Sequence, residues 1–376
     1  MKISPFSIMM SVLCCNSLII INYTLFRSKK FNVNIYTFLV IIMLCIVRPI
    51  FCFELPSAYV FPSIHILPFF TKITYCKPFS SSGITLGNIL FGIWITGAIF
   101  YLFRLIMNNM HFYHSLNRDE VPADDPIVLT LGKITNRKVK IYFSTSINSP
   151  MITGFLHPEI YLPNIAMPEK NLYYILLHEW NHYIHKDLWI KLSVEILCCI
   201  YWWNPFLYFL RYDLDNILEI KNDFIMTKKM NDTDKTEYLE TLLVFIKLFN
   251  KKSYQKGISN HLRLVYNRNS NIIERRFQLI LAPNLQRKAQ KLFSYISCFS
   301  ACILFILSFI FVIQPRFEAP EEESGIIIYD IDSSTAYLLD NLDNSYSLFI
   351  NDKFVDILTD IDIFPFSTLE VKGEHK

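Results

Sequence analysis

Long apolar runs constrain this chain before any motif does. The run FSYISCFSACILFILSFIFVI, within residues 292–313, contains no charged residue. Residues 5–26, 34–53 and 84–103 are also strongly apolar, with Arg48 near the end of the second run. Each is about the length that a helix needs to cross ~30 Å of hydrocarbon. The chain of 376 residues is 52% hydrophobic and 15% aromatic. That balance excludes a disordered chain and an ordinary soluble enzyme, and fits a membrane protein with one sizeable polar domain.

Charge placement orients the spans. Only Lys2 precedes the first run, no small-residue cleavage site follows it, and Arg27, Lys29 and Lys30 come next. The first run therefore reads as a retained span that ends in the cytosol. The loop 54–83 is poor in Lys and Arg and reads as external, the basic-flanked stretch between Arg104 and Lys291 as cytoplasmic, and the acidic residues after Gln314 as external. Both termini are then extracytoplasmic. Arg48 is expected to snorkel or to pair with Glu54. Cysteines in the apolar runs act as small hydrophobes, and a disulfide between Cys52 and Cys76 is left open.

A fifth apolar stretch, residues 188–210, carries Lys191 and Glu195 and is broken by Asn204-Pro205. A crossing here would put the two halves of the candidate site below on opposite sides of the bilayer. The expectation is a helix packed inside the domain or lying at the bilayer surface, with Glu195 paired to Lys191. Tyr201, Trp202 and Trp203 read as core packing or an interface anchor.

The chemistry centres on His178-Glu179-Trp180-Asn181-His182. On a helix, two histidines four apart face the same side and can share one metal ion. Glu179 is placed to act as a general base, as in zinc-assisted peptide hydrolysis. The helix is expected to start near Pro168-Glu169 and run to about Lys186. Strands are expected at 138–143, 151–154 and 159–162, with a turn at His157-Pro158. Zinc needs a third ligand and an open position. Glu219 is the leading candidate, with Asp223 on the same face to hydrogen-bond a ligating histidine. Glu195 and His185 compete as ligands, and Asp187 is another candidate partner for a histidine. The basic residues Lys251, Lys252, Lys256, Arg263, Arg268, Arg275, Arg276, Arg287 and Lys288 read as facing anionic lipid, with no direct nucleic-acid contact expected.

Several ordered motifs resemble the membrane metallopeptidases typified by the BlaR and MecR antibiotic-resistance sensor-transducers. SINSPMITGFLHPEIYLP matches through Ser149, Pro150, Gly154, Pro158, Ile160 and Pro163. LLHEWNHYIHKDLW matches through His178, Glu179, His182 and Asp187, WWNP through Trp202, Asn204 and Pro205, and LEIKND through Glu219 and Asp223. Glu54 and Pro56 resemble the family's entry into its outer loop. The resemblance implies a gluzincin-like site with one zinc ion, held by His178, His182 and Glu219, with Glu179 as general base. It also implies a cytosolic winged-helix repressor of the BlaI/MecI type as substrate. Asn222 stands where the family usually has cysteine. About sixty residues follow the last span, with no S-x-x-K motif, so beta-lactam sensing through a penicillin-binding domain is not expected.

The expected organisation is a mainly α multi-pass membrane protein: three spans in 1–106 with the external loop 54–83, a cytoplasmic α+β zinc peptidase domain in 107–290, a fourth span in 291–314 and a small strand-rich tail in 315–376. The tail opens on a Pro- and Glu-rich linker and has alternating runs at 325–329 and 346–350, with a turn at 341–344. Asp352, Asp356, Asp360 and Asp362 read as a solvated acidic face. The expected function is zinc endopeptidase cleavage of a cytosolic protein in signalling. A quality-control membrane protease and a non-catalytic zinc-binding transducer are the alternatives.

Overall fold

The computed structural model describes residues 4–372, apart from 28–32, 79–82, 117, 148, 166–167, 253–269, 282–287, 317–335, 342–344, 352, 360, 362–365 and 367–368. Lys29, Lys30, Lys256, Arg263, Arg268, Arg287, the acidic linker, the run 325–329, most of the expected turn at 341–344, Asp352, Asp360 and Asp362 lie outside the described residues. Met1–Arg316 form one compact unit and Phe317–Lys376 a second.

Helices α1 (Pro5–Arg27) and α2 (Ile35–Ile50) lead to strand β1 (Tyr59–Ser63), the short helix α3 (Ile66–Tyr75) and the long helix α4 (Leu86–Ser115). Together with α11 (Lys288–Ile310), described below, α1 and α4 are long and apolar enough to cross a membrane. At 16 residues α2 is shorter, about 24 Å, because Pro49 lies in its last turn and the Phe51 N–H caps Val47. Asn34 and Thr85 cap α2 and α4 through their side chains. The sequence expectation ended the third span at residue 103, but α4 continues to Ser115. Its final turn packs Phe112 and Tyr113 on a small sheet.

That sheet has strands β2 (Asp119–Glu120), β3 (Lys140–Ser144), β4 (Met151–Thr153) and β5 (Glu159–Pro163), with α5 (Pro126–Gly132) between the first two. The order is β2-β3-β5-β4, with β3 and β5 parallel and the outer pairs antiparallel. The β4–β5 turn requires Gly154, whose φ is +83° and where a Cβ would lie 2.0 Å from the His157 carbonyl oxygen. Ile141, Ile152, Ile160 and Leu162 of the sheet pack against Leu172, Ile175, Leu176 and Trp180 of α6 (Glu169–Ile184).

Lys186, with φ +57°, ends α6 and reverses the chain into α7 (Asp187–Ile200). Asn204 then caps α8 (Pro205–Thr227), which is followed by α9 (Asp232–Lys252) and α10 (Ser270–Leu281). α7 and α8 form a hairpin packed into the helix bundle. Val194, Leu197, Cys198, Leu207, Leu210 and Leu214 share one core with Leu18, Ile19, Phe38, Ile41 and Ile42 of α1 and α2. At the hairpin tip, the Asn204 amide donates to Asn16 Oδ1 of α1 at 2.8 Å, and Trp94 of α4 donates to the Ile200 carbonyl at 2.7 Å. Trp202 stacks on Tyr101.

Residues 188–210 break at Asn204-Pro205 and pack as a hairpin, as expected of a stretch that does not cross, but they pack against α1 and α2 and not within the domain or at the bilayer surface. They double back among the apolar helices, with both ends on one side, because burying their apolar faces there satisfies the tip's polar groups as well. Glu195 is indeed ion-paired, but with Arg211 at 2.6 Å, while Lys191 pairs with Asp215 at 2.9 Å. A pair across the hairpin neutralises both helices, whereas a pair along α7 would leave α8 charged. Arg48 neither snorkels nor meets Glu54. It is buried, donates to Ser308 Oγ, the Ser308 carbonyl and the Phe51 carbonyl, and lies over the Phe309 ring. Glu54 instead accepts from the Ser4 hydroxyl. Cys52 and Cys76 are free thiols.

α11 is followed by β6 (Phe311–Pro315), which pairs in parallel with β1, from Tyr59 opposite Phe311 to Ser63 opposite Pro315. In the second unit, β7 (Ala336–Asp340), β8 (Tyr346–Ile350), β9 (Lys353–Leu358) and β10 (Glu370–Lys372) form a sheet ordered β10-β7-β8-β9 over Leu338, Leu348 and Ile350.

The hairpin pairs make a stability prediction. Arg211→Met leaves Glu195 charged and unpaired, and should cost about 3 kcal/mol. Adding Glu195→Leu should restore most of the loss, as read by thermal melting in detergent.

Candidate metal centre

Three side chains from two helices converge on one point. The His178 and His182 side chains come from α6, and the Glu219 side chain from α8. One ligand atom from each lies within 4.8 Å of the others. The Nε2 atoms of the histidines are 3.3 Å apart, and Glu219 oxygens lie 3.2 Å from His178 Nε2 and 3.5 Å from His182 Nε2. Donors bonded at 2.0–2.1 Å to a tetrahedral ion sit about 3.3 Å from one another. The donor set and its spacing therefore fit a tetrahedral metal with three protein ligands.

The far ring nitrogens are held for that purpose. His182 Nδ1 donates to Asp187 Oδ2 at 2.8 Å, and Lys221 pairs with the other Asp187 oxygen. His178 Nδ1 lies 2.9 Å from the Tyr238 hydroxyl, which donates to Asp223 Oδ1 at 2.6 Å. With the Tyr238 proton committed to Asp223, His178 Nδ1 is the donor to the tyrosine oxygen, which leaves Nε2 as the free lone pair. Arg276 clamps both oxygens of Asp223 and approaches Glu219 at 3.4 Å. Asp223 was expected to bond a histidine directly. Its oxygen is 3.6 Å from His178 Nδ1, because Tyr238 stands between them. α9 is docked on α6 by Glu237, which takes the Lys170 ammonium and the Tyr174 hydroxyl, and this fixes Tyr238.

Electrostatics favour charge at this point. Burial lowers the His182 pKa, but the Asp187 and Glu219 carboxylates outweigh it and raise it from 6.5 to about 9. Burial raises the Glu219 pKa, but its two histidines and Arg276 hold the carboxyl well below its usual range. Burial pushes Glu179 up, against the opposing charges of both histidines. Glu179 is half-buried, and among the described residues its carboxylate has no hydrogen-bond partner. Of the competing ligands, Glu195 is taken by Arg211, and His185 Nδ1 bonds the Asn181 carbonyl of its own helix.

Tyr238 and Lys221 are the residues that sequence reasoning missed, and Arg275 and Arg276, read from the sequence as facing anionic lipid, are corrected: Arg276 is buried against Asp223, and Arg275 donates to the Phe26 carbonyl, because each finds a counter-group on a packed helix. Lys221 lies inside the motif between Glu219 and Asp223, so its position was a usable signal. Tyr238 and Arg276 follow no pattern. Asn222, in place of the cysteine, donates to the His178 carbonyl at 2.8 Å and fastens α8 to α6.

An apolar helix bundle with a His-His-Glu centre at its edge defines a membrane protein of the metallopeptidase class. A family model described as BlaR1 peptidase M56 matches residues 7–280, and the chain belongs to that family. It is 26% identical over 229 residues to the "Methicillin resistance mecR1 protein" of Staphylococcus aureus, covering 58% of this chain and 38% of the relative. It is 26% identical over 181 residues to the "Regulatory protein BlaR1" of Bacillus licheniformis, covering 46% and 30%. The matched region thus spans well under half the length of these relatives.

Metal must displace the proton held on His182. Metal affinity should therefore rise steeply with pH up to about 9, as measured by competition with a chelator. The sign for the metal-free protein is opposite. A raised folded-state pKa stabilises fully below pH 6.5, and that stability is lost as pH rises through about 9. Its melting temperature should fall across that window. Tyr238→Phe, which removes the link to Asp223, should weaken metal binding about tenfold or more.

Proposed function

We propose that the protein is a membrane-bound zinc metalloendopeptidase that cleaves a cytosolic protein in response to an external signal. The observation that carries this reading is the convergence of His178 Nε2 and His182 Nε2, 3.3 Å apart, on the Glu219 carboxylate, whose Oε2 lies 3.2 Å from His178 and whose Oε1 lies 3.5 Å from His182. Zinc is the ion that two imidazoles, one carboxylate and a tetrahedral spacing suit best, and when bound it supplies Lewis acidity. Glu179 then acts as the base. Its carboxylate has no hydrogen-bond partner among the described residues, and burial raises its proton affinity. It takes a proton from the attacking water and delivers it to the leaving amine. Asp187 and the Tyr238–Asp223–Arg276 chain hold the two imidazoles in one tautomer. Glu219 stays ionised because its histidines and Arg276 favour the anion.

The proposed topology has four spans, α1, α2, α4 and α11, with both termini extracytoplasmic. The 16 helical residues of α2 cross with the help of the residues that follow Phe51. The peptidase region 107–290 then faces the cytosol, the side favoured by the basic residues around it. The regulatory names of the relatives and the motif resemblance support a cytosolic winged-helix repressor of the BlaI/MecI type as substrate, which makes the protein an antirepressor.

Purified Glu179→Ala should retain metal and lose cleavage about a thousandfold, by metal analysis beside a cleavage assay. Glu219→Ala should lose the metal. Unchanged metal content in Glu219→Ala removes Glu219 from the ligand set, and unaffected cleavage in Glu179→Ala removes the base.

A further inference from the structure

Behind the metal-bearing helix lies a second cleft, of about 820 Å³. It is walled by the β4–β5 turn at Gly154–Leu156, by Trp180 and Tyr183 of α6, and by the start of α7 at Leu188 and Trp189. Trp180 is two residues beyond His178, roughly 200° around the helix, so this cleft opens away from the metal centre. The walls are fixed. The Tyr183 hydroxyl donates to the Leu156 carbonyl at 3.0 Å, Trp180 stacks on Tyr183, and Phe155 meets Trp189 edge-on at 4.9 Å. Arg137 and Lys186 line the same space. No lining residue is acidic, and neither cation has an ion-pair partner among the described residues.

We propose that this cleft binds an anionic phospholipid, with the phosphate held between Arg137 and Lys186. Two observations favour lipid over a soluble ligand. First, the cleft is continuous with the apolar surface of the bundle. Trp189, Ile196 and Ile200 form one exposed stripe along α7, and Trp189 is both the foot of that stripe and the wall of the cleft. An acyl chain laid along the stripe brings its headgroup to the two cations. Second, the opposite wall hangs from a membrane helix. The final turn of α4 packs Tyr113 against Met151 at the start of β4, which ties the sheet bearing the β4–β5 turn to the end of that helix. Phe155, Leu156, Ile184 and Trp189 are all exposed around the two cations. Large apolar side chains beside basic ones are the composition of a membrane-interface belt. The volume suits a headgroup and the upper part of its chains. The assignment to the cytoplasmic leaflet rests on the proposed topology. The site itself does not depend on the peptidase reading.

The test is native mass spectrometry of the full-length protein, titrated with phosphatidylglycerol or with phosphatidylcholine of the same acyl chains. Wild type should retain one phosphatidylglycerol in preference to phosphatidylcholine. Each cation beside an anionic headgroup contributes about fivefold, so Arg137→Gln with Lys186→Gln should weaken retention about thirtyfold. Lys138→Gln, outside the cleft, should change nothing. Unaltered metal content in the double variant reports an intact fold, and separates this test from failure of the peptidase assignment. Equal retention of the two lipids by wild type, or unchanged retention by the double variant, overturns the proposal. So does equally tight binding of soluble hexaglutamate, which would make the cleft a dock for an acidic protein segment.

Discussion

An unpaired charge in an apolar interior costs several kcal/mol, so a helix carrying one must find its counter-charge or leave. α7 and α8 meet this constraint together. Lys191 faces Asp215 and Glu195 faces Arg211, in one antiparallel register about the turn at Trp203. A one-residue slip of either helix would break both pairs. The same register, carried a further turn toward the open end, sets Asp187 beside Lys221 and Glu219 beside the two histidines. The chemistry at the base of the hairpin thus inherits its alignment from the ion pairs inside it.

The metal centre also needs α6 held from behind. One face of α6 is buried on the sheet, through Leu172, Ile175, Leu176 and Trp180, which leaves the His178–His182 face for α8 and α9. The left-handed turn at Lys186 brings α7 back along its neighbour within a single residue, so that Asp187 reaches His182. Each imidazole of the candidate centre is gripped at its far nitrogen by a different element, α7 for His182 and α9 for His178. Loosening either element would tilt one ring without touching the other.

Much of this was legible in the sequence because it is local. Helical spacing alone puts His178 and His182 on one face, period-two alternation marked β3, and the His157-Pro158 turn marked β4 and β5, each within about two residues. Glu219 was legible only as one of several candidate ligands, since its place beside the histidines depends on where the apolar stretch 188–210 turns. Tyr238 was not legible, because nothing within α9 distinguishes a tyrosine that bonds a histidine sixty residues earlier. The same holds for Arg276. The partners of Lys191 and Glu195 were misjudged, and Ser308 was missed for Arg48, for one reason: nearness in sequence was taken as nearness in space, while these partners lie on facing helices. The loop 54–83 hid the helix α3, whose short apolar pattern does not distinguish a helix from an irregular segment.

The β1–β6 pair has a consequence for how the chain is made. Its strands are about 250 residues apart, and parallel pairing at that separation cannot begin until both have been synthesised and α11 has reached its place. At translation rates of about 5–20 residues per second, β1 waits on the order of tens of seconds with its backbone unpaired. The membrane unit is therefore closed last, at a seam joining the loop after α2 to the strand that follows α11.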